Sequence, residues 1–182
     1  MLARRMRRVE VMPMISGWRI TVAMLVLGTC VCCSRCARAT TTEDALAVAC
    51  PGHQYLAPLI DEAARKYLHH PVNLVALILR ESTCNPFAMG REVQGRVGVG
   101  LGQPLTNSPA ANGLTREQLL DPRKNLDASA RWLAMMAVMC GDAGFGAYAS
   151  GKCGGGKKYA KRMARTIARI WRLIHDRGSA RS

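Results

Sequence analysis

Residues 71–82 read Pro-Val-Asn-Leu-Val-Ala-Leu-Ile-Leu-Arg-Glu-Ser. Apolar side chains stand on nearly every side of the run from Val72 to Leu79, as in a helix buried in a protein interior rather than laid along its surface. Pro71 suits the first position of such a helix, where a missing N–H leaves no bond unmade. Arg80 and Glu81 close the run. Just upstream, Leu56, Leu59, Ile60, Ala63, Ala64 and Tyr67 recur at steps of three, one and four, which is one face of a second helix. His69, His70 and Pro71 end it. Two helices joined by so short a turn run antiparallel, so the start of the first and the end of the second lie at the same end of the pair.

The surrounding chain suits a helical domain. Of 182 residues, 49% are apolar and 21% charged, a globular composition that excludes a disordered tail protein. With only 2 Phe, 4 Tyr and 3 Trp, the core is made of Ala, Leu, Val, Ile and Met, residues that favour helices. Thr115 and Gln118 have the spacing of a capping box, and Asp121-Pro122 stops that turn. Asn125 or Asp127 then opens a helix with Leu126, Ala130, Leu133, Met136, Ala137 and Cys140 inward. A last helix, about 157–176, carries Tyr159, Met163, Ile167, Ile170, Trp171 and Ile174 on one stripe, with Lys161, Arg162, Arg165, Arg169 and Arg172 outside it. Residues 85–112 and 141–156 are rich in Gly and read as loop regions, the first with alternating Val97, Val99 and Leu101 that suit short strands. No repeat and no linker divides the chain into two cores.

The basic surplus is uneven. Seven of the 26 Lys and Arg and one of the 12 Asp and Glu, Glu10, lie in residues 1–39. Arg4, Arg5, Arg7, Arg8 and Arg19 precede an uncharged apolar run from Ile20 to Cys33, and Ala37-Arg38-Ala39 is a small-x-small step. Residues 1–39 therefore read as a secretory signal cleaved near Ala39, leaving 40–182 as one exported, periplasmic domain. The apolar run falls short of the roughly 20 residues that span a bilayer, so membrane attachment would come only through an uncleaved leader.

The cysteines divide at the same place. Cys50, Cys84, Cys140 and Cys153 fall in the exported domain, where two disulfides are expected, with three pairings open in principle. The antiparallel helix pair brings Cys50 and Cys84 together. Cys140, ending a helix, and Cys153, in the Gly-rich loop beyond, close a short loop. The exported domain holds no close ligand pair such as C-x₂-C, so no metal site is expected there. His53, His69, His70 and His175 read as helix-end and solvated residues, and Met135, Met136 and Met139 as packing.

Glu81 is the residue that invites chemistry. It ends an interior segment and faces a Gly-rich loop, and desolvation there disfavours the carboxylate and raises its pKa. A carboxyl so placed is a candidate general acid near neutral pH, suited to protonating a glycosidic oxygen as its bond breaks.

Glu81-Ser82 is followed in order by Asn85-Pro86, Gly98-Val99-Gly100-Leu101-Gly102-Gln103, Asp121-Pro122-Arg123-Lys124-Asn125-Leu126 and Ala147-Tyr148-Ala149-Ser150-Gly151. This series resembles the soluble lytic transglycosylase family, of lysozyme-like fold, over about residues 50–170. The Gly-Leu-Gly-Gln form with Asp-Pro before Asn-Leu is most similar to members that accompany type IV secretion and conjugation systems. The resemblance implies a mainly α, lysozyme-like (α+β) domain, compact and helical, with the Gly-rich loop flanking a glycan cleft. It implies cleavage of the β-1,4 bond between N-acetylmuramic acid and N-acetylglucosamine in peptidoglycan, with Glu81 as the single catalytic residue and no cofactor. It also implies substrate-side roles for Ser82 beside the carboxylate, Gln103 on the sugar or the acid, and Tyr148 on the acid or the glycan. A secretion or conjugation apparatus is the implied partner.

Two positions depart from the family pattern: Gly102 replaces a Met that lines the groove, and Ala149 replaces an Asn. They motivate an alternative, a wall-binding assembly factor without turnover. Glu92 motivates another, a hydrolytic muramidase in which a second carboxylate activates water. The basic last helix would also suit an anionic surface. Nucleic acid is not expected as a partner, because export separates the chain from it and no aromatic residues interleave with the basic run. Positive charge would instead help hold the protein on anionic cell wall, more weakly as salt rises.

Overall fold

A computed structural model of the chain describes residues 41–180. The leader expected over residues 1–39 lies outside the described residues. Seven α-helices follow one another: α1 (Thr42–Ala49), α2 (Ala57–Lys66), α3 (Pro71–Ser82), α4 (Arg116–Leu119), α5 (Pro122–Cys140), α6 (Gly144–Ser150) and α7 (Lys157–Ser179). None of the described helices is long and apolar enough to cross a membrane.

The buried run of residues 72–78 becomes the middle of the molecule. Val72, Leu74, Val75, Ala76, Leu77 and Ile78 are all buried, so α3 is enclosed on every side, as its sequence requires. It packs against α1, α2 and α7, while α5 runs against α2 and α6. The shared core gathers Leu46, Leu56, Ile60, Leu126, Leu133, Met163 and Ile170 around it. His70 caps α3 by accepting from the Val72 N–H, with Pro71 in the first helical position.

Three expectations change. The helix expected to open at Asn125 or Asp127 opens at Pro122, with Asp121 as N-cap accepting from the N–H groups of Arg123 and Lys124. Asp-Pro starts this helix instead of only stopping the previous turn, because proline at the first position gives up an N–H that has no helical partner. Residues 141–156 are not all loop: Gly144–Ser150 form α6 in spite of two glycines, packed against α5 and α7. Helix α1 was not anticipated, although Thr41 and Asp44 form a capping box at its start. The capping box read at Thr115 and Gln118 is present.

Residues 85–113 fold into turns held by isolated antiparallel bridges between Met89 and Val99, Val93 and Arg96, and Gly98 and Leu105. Beneath them Val99, Ala111, Leu119 and Ala128 form a second, smaller apolar cluster. Among the described residues, two disulfides staple the fold. Cys50 joins Cys84 with Cα atoms 6.0 Å apart, and Cys140 joins Cys153 at 5.2 Å.

Candidate active site

Glu81 lies in the last turn of α3, and the chain stops hard behind it. Thr83 adopts the left-handed conformation and returns its N–H to Ile78, and the Cys84 N–H reaches the same carbonyl at 3.1 Å. Cys84 is then tied to Cys50 at the end of α1. Three residues after Glu81, a covalent bond therefore fixes where the helix ends.

The Glu81 carboxylate is half-buried and accepts a hydrogen bond from the Tyr159 hydroxyl, which comes from the first turn of α7. Burial pushes its pKa above the ordinary carboxylate value of 4.5, against the pull of the Tyr159 bond and of the Arg80 charge. Tyr159 is driven up by its own burial and by the charge of Glu81, so its phenol stays protonated and remains a donor. Tyr148 is driven the same way, first by burial and then by Glu81, while the Ser129 hydroxyl pulls it down. One carboxyl group faces two neutral phenols.

Tyr148, on α6, is buried, and its hydroxyl donates to the Gly102 carbonyl at 2.6 Å. The Gly102 N–H donates to Asn125 Oδ1 at 2.9 Å. Asn125 is itself buried in the first turns of α5, and its Nδ2 donates to the carbonyls of Val99 and Leu119, both at 2.7 Å. Both backbone groups of Gly102 are thus held by side chains of different helices. A Cβ on Gly102 would come within 2.1 Å of Ser129 Oγ and 3.2 Å of the Tyr148 hydroxyl. The glycine that departs from the family pattern is required here, because Ser129 and Tyr148 occupy the space beside it. Gly100 is held as closely, with positive φ and no room for a Cβ against Asn125.

The residues singled out from sequence take different positions. Glu81 and Tyr148 come together around the same charge. Ser82 does not bond Glu81: its hydroxyl donates to Ile78 O at 3.0 Å, the back-bond a serine in a helix makes readily. Gln103 donates its amide to the carbonyls of Gly100 at 2.7 Å and Ala88 at 3.1 Å, so it braces the Gly-rich loop on itself. Glu92 is exposed and lines a separate hollow of about 370 Å³ with Thr106, Leu114 and Arg116.

Sequence reasoning missed three members. The α7 stripe predicts packing for Tyr159; its signal is a phenol at the start of an apolar row, since a buried hydroxyl needs a partner. Asn125 was read as a helix opener, yet a buried amide must find several partners. Trp132, which donates to Tyr148 O at 3.2 Å, had no distinguishing signal.

The arrangement favours the protonated form of one carboxyl, which can deliver its proton to a bound oxygen and take one back. Compared with models of known families, residues 58–172 match the transglycosylase SLT domain. Neither the curated proteins nor the solved structures yield a match.

Proposed function

We propose, from the premise that this chain belongs to the transglycosylase SLT domain family, that Glu81 is the acid and base with which it cuts glycan strands. The chain is a peptidoglycan lytic transglycosylase, and peptidoglycan is its substrate. In the proposed reaction the Glu81 carboxyl protonates the oxygen between N-acetylmuramic acid and N-acetylglucosamine as the bond from the anomeric carbon breaks. The sugar's acetamido group steadies the positive carbon. The sugar's own 6-hydroxyl then attacks that carbon while the Glu81 carboxylate takes its proton, giving a 1,6-anhydro end and restoring the acid. Water is not a reactant.

The observation that carries this reading is a half-buried carboxyl at the end of α3, held by the Tyr159 hydroxyl, whose burial favours the protonated form. A general acid must hold its proton near the working pH, and burial moves Glu81 in that direction. The hydrolytic alternative needs a second carboxylate to activate water, and the candidate for it, Glu92, belongs to the separate hollow. Tyr159 holds the Glu81 carboxyl in place, and Tyr148, Gly102 and Asn125 hold the loop that flanks it. Ser82 and Gln103 have their donors committed to backbone carbonyls, so any contact with glycan falls to their remaining acceptor sites.

Residues 1–39 serve, in this proposal, as an export signal removed near Ala39, and residues 40–182 as the periplasmic enzyme. The Gly-Leu-Gly-Gln loop followed by Asp-Pro and Asn-Leu supports local wall opening for a secretion or conjugation apparatus. The products decide the mechanism. Purified peptidoglycan digested by the chain should yield soluble fragments with the mass of anhydro-muramyl ends, and Glu81→Gln should release none. Reducing ends formed from water, or release undiminished in Glu81→Gln, would remove the assignment.

A further inference from the structure

The last helix breaks two rules of helix electrostatics. Lys157 and Lys158 occupy its first turn, which has no acidic residue and no side-chain cap, although the positive end of a helix dipole repels cations. No carboxylate follows along α7 before Asp176, so its cations at spacings of three and four repel one another without internal relief. Six of them, Lys158, Lys161, Arg162, Arg165, Arg169 and Arg172, are exposed and fall within about 100° of one another at 3.6 residues per turn. They form a stripe about 21 Å long at 1.5 Å per residue, with no apolar side chain inside it that could enter a lipid layer.

Beside this stripe, where α7 passes α1 and the end of α3, lies a hollow of about 400 Å³, a size suited to a small ligand. It is lined by Arg80 and Arg169 together with Thr83 and Thr166. The rest of its lining is aliphatic, with Val48, Leu79 and Ile170 among others. No acidic residue lines it, and neither arginine is ion-paired to a carboxylate among the described residues. The complement of such a site is a chain with small apolar groups and carboxylates in alternation. One wall residue, Arg80, directly precedes Glu81 in α3, and its charge acts on the Glu81 carboxylate.

We infer that the hollow and the cationic stripe of α7 form a second binding site, for the carboxylate-bearing peptide stems that a peptidoglycan strand carries. The inference rests on the peptidoglycan reading given above. The glycan lies across Glu81, and a stem leaving it sets its short aliphatic side chains against Val48, Leu79 and Ile170 and its carboxylates against Arg80 and Arg169. The next carboxylates lie along Arg165 and Arg172.

Binding is measured with Glu81→Gln, which does not cut the strand, against strands carrying their stems and strands stripped of them by an amidase. Stem-bearing strands are expected to bind about tenfold more tightly at low salt, and the preference should shrink as salt screens the exposed charges. Adding Arg165→Glu, Arg169→Glu and Arg172→Glu should abolish the preference and leave binding to stripped strands within about twofold. The same three positions changed to Lys keep the charge and should keep the preference. If the reversed chain does not fold, a neutral set with Gln at those positions carries the same expectation and decides the matter. Equal binding to the two kinds of strand, or a preference that survives loss of the charges, overturns the inference. So does equally tight binding to vesicles rich in anionic phospholipid, which would make the stripe a membrane contact. Failure of the transglycosylase reading is seen separately, as missing anhydro ends when the unaltered chain is given either strand.

Discussion

Tyr159 donates its hydroxyl to Glu81 across 78 positions of sequence, joining the first turn of α7 to the last turn of α3. The bond restrains the carboxyl and lowers its pKa while burial raises it. The helix that carries the cationic stripe therefore also sets the acid.

Removing that hydroxyl has a signed consequence. In Tyr159→Phe the carboxylate loses a hydrogen bond that favours its charged form, so the Glu81 pKa rises further. The alkaline limb of the kcat/KM profile, where the acid loses its proton, should move to higher pH, and the maximum should fall about tenfold as the carboxyl loses its orientation. A profile whose alkaline limb stays in place or moves down would show that Tyr159 does not govern the proton on Glu81.

Glu81 also costs stability, in a defined pH window. In the unfolded chain it titrates near 4.5, and in the folded one it is held above that value. The fold therefore loses stability as pH rises from 4.5 through the folded value, and the penalty is complete beyond it. Glu81→Gln should melt a few degrees higher than the parent at neutral pH, with the difference closing as pH falls toward 4.5. Thermal melts of the two chains across that range test the sign.

Gly102 should reject even a methyl group. An added Cβ meets Ser129 Oγ at 2.1 Å and Ser129 Cβ at 2.6 Å, so Gly102→Ala should destabilise by about 1–3 kcal/mol. Ser129→Gly should cost about 1 kcal/mol as a glycine inside α5. The double variant should be more stable than the sum of the two by about 1 kcal/mol. Additive denaturation free energies would refute the contact.

The Cys50–Cys84 bridge closes 34 residues and Cys140–Cys153 closes 13. Replacing Cys50 and Cys84 by Ala should destabilise by about 2–4 kcal/mol, roughly 1 kcal/mol more than losing the second bridge, because the longer loop restricts the unfolded chain more. It should also lower activity more than its stability cost explains, since Cys84 anchors the turn behind Glu81. Residual activity measured well below the melting temperature separates the two effects.

Periodicity and local chemistry decided a good deal. The apolar run of residues 72–79 could only be an interior helix, and the short turn at His69–Pro71 forced its neighbour to run antiparallel, bringing Cys50 and Cys84 together. The same run placed Glu81 in an apolar setting and so fixed the direction of its pKa. Those properties depend on neighbours a few residues apart and on burial, both of which the order of residues encodes. The phenol that meets Glu81 from α7, the grip of Asn125 and Tyr148 on Gly102, and the withdrawal of Ser82 and Gln103 onto backbone carbonyls were set by tertiary packing. Each depends on which helices cross where, and two side chains 78 positions apart leave no mark on one another's local sequence until the core between them has closed.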